Sequence, residues 1–202
     1  MGNWYTNVAV KGAEQAQVVA TLEELGRRAY VTPERSGWIV VYDQQTDEFD
    51  LGILESLALT LSARLSCTAL ASCNADDDVL WLALYENGEL LTRYASSRNA
   101  FEDGDEFPDP KESAQVLARV FAKPDATNQT LTVLRKSHGI LGVLSLWFKI
   151  RLAYAVEVHR HLDLSNLLSM PVAAVGLGYR YVDKGALPEG MDREALRRTM
   201  VG

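Results

Sequence analysis

A chain of 202 residues with 48% hydrophobic and 23% charged side chains has the balance of a globular protein, which excludes disorder, collagen and coiled coil as descriptions of the whole. At this length about 70% of the unfolded surface can be buried, enough for a sizeable core. The net charge of −7 and the pI near 5.0 argue against general nucleic-acid binding, which needs a basic face.

Residues 3–11, NWYTNVAVK, read as a strand. Gly12 opens a helix over 13–25, with Val18, Val19, Leu22 and Leu25 as its apolar stripe, and Gly26 stops it. Residues 28–32 make a short strand, and the cluster Pro33 to Gly37 is a turn. WIVVY, 38–42, is a continuous β-branched run, expected of a strand covered on both faces. After the polar loop 43–50, Leu51, Leu54, Ala58, Leu61 and Leu65 mark a helix over 51–65 with Asp50 as N-cap. Residues 67–74, CTALASCN, read as another strand.

The order β-α-β-β-α-β is the split βαβ pattern, so the expected fold class is α+β with a ferredoxin-like N-terminal unit carrying both helices on one sheet face. A hairpin extends it: 79–85 and 89–95 flank Asn87-Gly88, the preferred pair for a tight turn. Residues 1–97 thus form the first unit. Residues 98–110 form an acidic linker or loop. Residues 111–202 form a mainly helical segment, either separate or packed on the first unit as one domain. Its expected elements are helices over 111–122, 131–139 and 152–168, a strand over 172–182 interrupted by Gly176 and Gly178, and a short basic helix from Asp192 to Arg198. The alternation Phe148, Ile150, Leu152, Tyr154 leaves a strand open there. Lys149 and Arg151 interrupt the apolar run 140–156 before it reaches membrane-spanning length, so a buried element is expected and no membrane association.

Charge is unevenly spread. Residues 1–110 carry 7 basic and 19 acidic side chains; residues 111–202 carry 13 and 8. Either the halves pack with complementary fields, or the acidic half faces a basic protein partner. Cys67 and Cys73 share one strand at a separation of roughly 20 Å, beyond the reach of a disulfide. Unpaired thiols and the lack of a signal-like N-terminus point to a cytoplasmic setting.

Several constellations could carry chemistry. Asp76, Asp77 and Asp78 could offer oxygen ligands to a divalent cation, or simply solvate a turn. Asp43, Asp47 and Asp50 occupy another loop, whose strand end is expected to lie apart from or screened from the first. His159, His161 and Asp163 superficially form a metal motif, but on a helix residues two apart point about 200° away from each other. The metal candidates are therefore Asp76, Asp78, His159 and His161; no catalytic residue and no cofactor is assigned. His138 reads as a helix-end histidine. Acylphosphatases share the split βαβ order but need an anion-cradling loop after the first strand. Here Lys11-Gly12-Ala13-Glu14 puts a carboxylate where the anion would sit. Trp4, Tyr5, Trp38, Trp81, Tyr85, Tyr94 and Trp147 are expected mainly in the core. Gly176-Leu177-Gly178 reads as a bulge or close backbone packing.

Residues 76–97, DDDVLWLALYENGELLTRYASS, and 160–190 resemble a group of uncharacterised bacterial proteins of unknown function. The resemblance implies a bacterial, cytoplasmic protein and no mechanism. The expected function is a non-catalytic binding or protein-interaction module using an acidic face, as a monomer or homodimer. The alternatives are a metal-dependent hydrolase with carboxylates at 76–78 and a small-molecule sensor on a ferredoxin-like sheet.

Overall fold

The computed structural model describes residues 2–97, 107–138 and 153–200. Most of the acidic linker, most of the apolar run 140–156, and Trp147 lie outside the described residues. Elements follow in the order β1 (Tyr5–Lys11), α1 (Gln15–Glu24), β2 (Ala29–Val31), β3 (Trp38–Asp43), α2 (Leu51–Leu65), β4 (Thr68–Ala75), β5 (Val79–Glu86) and β6 (Glu89–Ala95). Then come α3 (Pro110–Val120), α4 (Thr127–Arg135), β7 (Ser137–His138), β8 (Ala153–Tyr154), α5 (Glu157–Leu168), α6 (Tyr179–Asp183) and β9 (Arg197–Arg198).

Local chemistry explains the first elements. Gly26, at φ +65°, ends α1 in the left-handed region that glycine adopts without strain. Asp50 Oδ1 accepts from Ile53 N at 3.1 Å and caps α2. Asn87 and Gly88 both have positive φ, 52° and 85°, as a two-residue hairpin turn requires. The hairpin tip is then tied to α2, because Gly88 N donates to Ser62 Oγ at 2.7 Å.

Seven strands form one antiparallel sheet in the order β6-β5-β4-β1-β3-β2-β9. β7 and β8 pair in parallel as a separate small sheet. The period of two then sorts side chains between layers. Val8, Val10, Ile39, Val41, Ala69 and Ala71 face Val18 and Leu22 of α1 and Leu54, Leu57 and Leu61 of α2. Ala9, Val40, Tyr42, Leu70, Leu82 and Leu84 face Leu117 of α3, Leu134 of α4, Leu164 and Leu168 of α5 and Tyr179 of α6. WIVVY is therefore an inner strand buried on both faces, and residues from both halves of the chain share one apolar cluster.

Four expectations are corrected. Residues 172–182 are not a strand but a 3-10 turn, Val172–Ala174, followed by α6. Asn7 Nδ2 claims the Ala174 and Leu177 carbonyls at 2.7 and 2.9 Å, and Asp47 Oδ2 accepts from Arg180 N at 2.7 Å. Those bonds use the groups a sheet ladder would need and fix a helical start. Residues 192–198 form a 3-10 turn, Arg193–Ala195, and then β9, which pairs with β2. Its end is held by Thr199, whose N–H donates to Ala29 O at 3.0 Å and whose hydroxyl donates to Arg27 O at 2.7 Å. The helix expected to reach Gly139 stops at Arg135, and His138 sits in β7. The last concerns the acidic loops: both β3 and β4 run antiparallel to β1, so their C-terminal ends meet at the same end of the sheet.

Replacing Asp50 by alanine removes the α2 cap and is expected to cost about 1 kcal/mol, whereas Asp50→Asn retains the acceptor and most of that stability. Urea denaturation of the two variants checks this; equal midpoints would deny the cap its role.

Candidate interaction surface

The N-terminal end of β1 organises one rim of the sheet. Tyr5 pairs with Asn74 on β4, and Ala75 pairs with Val79 across the turn 76–78. On the other side of β1, β3 runs out into the loop 44–50. Two acidic loops thus flank the incoming N-terminal segment.

The turn 76–78 holds that segment by hydrogen bonds. Asp76 and Asp77 adopt positive φ, 53° and 60°, a conformation that Asp tolerates better than most residues. Asp76 Oδ1 accepts from Gly2 N and from Trp4 Nε1, both at 2.8 Å. Asp77 Oδ2 accepts from Asn3 N at 2.8 Å, and its Oδ1 accepts from Asn74 Nδ2 at 2.8 Å. The Asp77 carbonyl also accepts from Glu157 N at 2.9 Å, which anchors the start of α5 to the same turn. Asp76 and Asp77 thus both hold the segment; Asp77 is half-buried, while Asp76 and Asp78 are exposed.

Trp4 links the two loops. Its ring meets Phe49 edge-on at 4.7 Å, its indole N–H reaches Asp76, and it is 40% exposed. Both loops carry exposed carboxylates: Glu48 and Asp50 flank Phe49, and Asp76 and Asp78 lie in the turn 76–78. Toward β2 the carboxylates are matched by arginines. There Arg27 is engaged by Asp43 through paired guanidinium–carboxylate bonds, and Arg180 Nη2 donates to Asp47 O at 3.1 Å. Burial raises the Asp47 carboxyl above its usual range, opposed by the nearby Arg180.

The histidine motif divides as helical phase requires. His159 is exposed, while His161 is fully buried against the sheet. His161 Nδ1 and the Tyr5 hydroxyl share a 2.8 Å hydrogen bond, and the rings stack with centroids 5.9 Å apart. Burial pushes the imidazole pKa down to about 4, and pushes the Tyr5 hydroxyl well above its ordinary value. Beside it, Arg160 and Glu157 form a fully buried ion pair. Arg160 Nε donates to Glu157 Oε2 at 2.6 Å and its Nη2 to Oε1 at 3.1 Å. The remaining N–H groups donate to the carbonyls of Val133 and Lys136 at 2.6 and 2.7 Å, closing the end of α4. The guanidinium also lies 4.6 Å from the Tyr154 ring centroid.

Neither cysteine is poised for chemistry. Cys67 and Cys73 are buried thiols, pushed up by burial to about 11 and about 12, which suppresses the reactive thiolate. Among the described residues, no group of three or more His, Cys, Asp or Glu side chains is arranged to hold a metal ion, and no helix is long and apolar enough to cross a membrane. Tyr5, Trp38, Trp81, Tyr85 and Tyr94 are core residues, as expected, but Trp4 is a surface residue. Its position beside the first acidic turn depends on pairing between residues 5 and 74, which no local pattern encodes. Comparison with protein-family models, curated proteins and solved structures finds no match.

Proposed function

We propose that this chain is a non-catalytic interaction module that docks a basic protein segment on the carboxylate rim around Trp4. The observation that carries this reading is the convergence of the loops 44–50 and 76–78 at one sheet end, on either side of an exposed indole. A lysine or arginine side chain can lie over the indole face while its charge meets carboxylates. The sheet itself offers less: helices cover both of its faces. The metal-hydrolase alternative draws little support, since Asp76 Oδ1 is used by two donors and His161 Nδ1 by Tyr5. We read residues 5–75 as a ferredoxin-like unit, a reading supported by the order β4-β1-β3-β2 and by α1 and α2 sharing one face.

The test is fluorescence anisotropy with a labelled lysine-rich peptide at low and high salt. Affinity is expected to fall steeply as salt rises. The combined variant Glu48→Gln, Asp50→Asn, Asp76→Asn keeps the α2 cap and the left-handed turn, yet removes three charges. It is expected to bind at least about tenfold more weakly, since charge pairs at an interface carry about 1.5 kcal/mol or more. Unchanged affinity in this variant would overturn the reading.

A further inference from the structure

At the opposite end of the sheet, the C-terminal end of α5 opens onto a groove of about 590 Å³. That volume lies within the range of small-molecule sites. Its lining mixes the apolar Trp38, Met170, Pro171, Val172 and Met191 with polar residues, among them Arg35, Asn166, Ser169 and Glu189. Arg35 donates to the carbonyls of Glu189 and Gly190 and so pins the far wall to the β2–β3 turn.

Among the described residues of this lining, one buried polar side chain lacks a hydrogen-bond partner. Ser165 is 1% exposed, and its Oγ has no hydrogen-bond partner among the described residues. Its backbone carbonyl is engaged, by Ser169 N and by Met170 N at 2.9 Å, so the hydroxyl is what it can offer a ligand. The other final carbonyls of a helix lack intrahelical partners and carry partial negative charge. The lining also carries one charge of each sign, Arg35 and Glu189. An ammonium group is favoured at this helix end and a carboxylate disfavoured.

We propose that this groove binds a small amphiphilic primary amine, with the ammonium hydrogen-bonded to Ser165 Oγ at the α5 terminus and the apolar body against Trp38, Met170 and Met191. This site is separate from the acidic rim, so either can fail without the other. Phenethylamine, phenethyl alcohol and phenylacetate are matched probes, titrated into the full chain and followed by methyl NMR of Met170 and Met191 and by the Trp4 indole N–H. Phenethylamine is expected to shift the two methyls saturably and leave Trp4 unmoved. It should bind at least about tenfold more tightly than phenylacetate, the ratio expected when a charge-assisted bond is gained in place of repulsion.

Ser165→Ala is expected to weaken the amine by about tenfold, the size of one hydrogen bond to a charged group. Val172 is 45% exposed, so Val172→Lys is tolerated by the fold and serves as a second variant: the added cation should lower amine affinity and raise carboxylate affinity. Equal or tighter binding of phenylacetate overturns the proposal. So does a shift confined to Trp4, or motionless Met170 and Met191 methyls at about 10 mM amine, a ceiling above the Kd expected for a ligand of this size. Unaltered amine affinity in both variants would equally overturn it.

Discussion

Arg160→Ala is expected to destabilise the protein by about 3–5 kcal/mol, the cost of leaving a buried charge without its partner. Glu157 and Arg160 are both fully buried, and the guanidinium also closes carbonyls at the end of α4. Alanine would leave the Glu157 carboxylate in the interlayer and those carbonyls without donors. The pair itself is a different matter, because desolvation offsets much of its attraction. The double variant Glu157→Leu, Arg160→Met is therefore expected to be more stable than Arg160→Ala, with the remaining deficit set by the α4 carbonyls. Urea denaturation of the three proteins measures this. A double variant as unstable as the single one would show that the cost lies in the carbonyls and not in the stranded charge.

The second large effect is a pH dependence centred on His161. Its folded pKa lies near 4, below the ordinary 6.5, because the imidazole is fully buried. The unfolded chain therefore binds a proton over a range where the folded one does not, and stability rises with pH across that range. The contribution is fully present above about pH 6.5 and is lost as pH falls toward 4, amounting to about 3 kcal/mol in total and about 2 kcal/mol by pH 5. Carboxylates also titrate at the acid end, so the comparison is with His161→Gln, which keeps a polar group beside Tyr5 and cannot charge. Between pH 7 and pH 5 the wild type is expected to lose about 2 kcal/mol more than the variant. Parallel losses in the two proteins would mean that His161 titrates at its ordinary pKa in the fold.

These two groups also show what a sequence can and cannot reveal. Asn87-Gly88, the WIVVY run and the stripe from Leu51 to Leu65 announce their structures because turn chemistry and hydrophobic period act locally. The separation of His159 from His161 likewise follows from helical phase. Glu157 and Arg160 were legible in a weaker way: they share the face that carries Leu164 and Leu168, a stripe where charges signal a buried pair. Other features arise from contacts between distant residues. Thr199 and Arg198 join the sheet at β2 only because the C-terminal segment returns across about 170 residues. The strand expected around the glycines at 176 and 178 is absent, while the close backbone packing read from them is present at Gly178, where a Cβ would lie 2.7 Å from Asp47 Oδ1. Trp4 looks like a core aromatic by composition and is a surface residue by topology.

The proposed recognition surface depends on one geometric relation, the meeting of two acidic loops on the indole of Trp4. The most direct measurement is a titration of the full chain with a lysine-rich peptide, followed by the Trp4 indole N–H and the backbone amides of Glu48, Asp76 and Asp78. These resonances are expected to move together, saturably, with an apparent affinity that drops as salt is added. A peptide that binds while Trp4 and both loops stay still, or no saturable shift at low salt, would contradict the account.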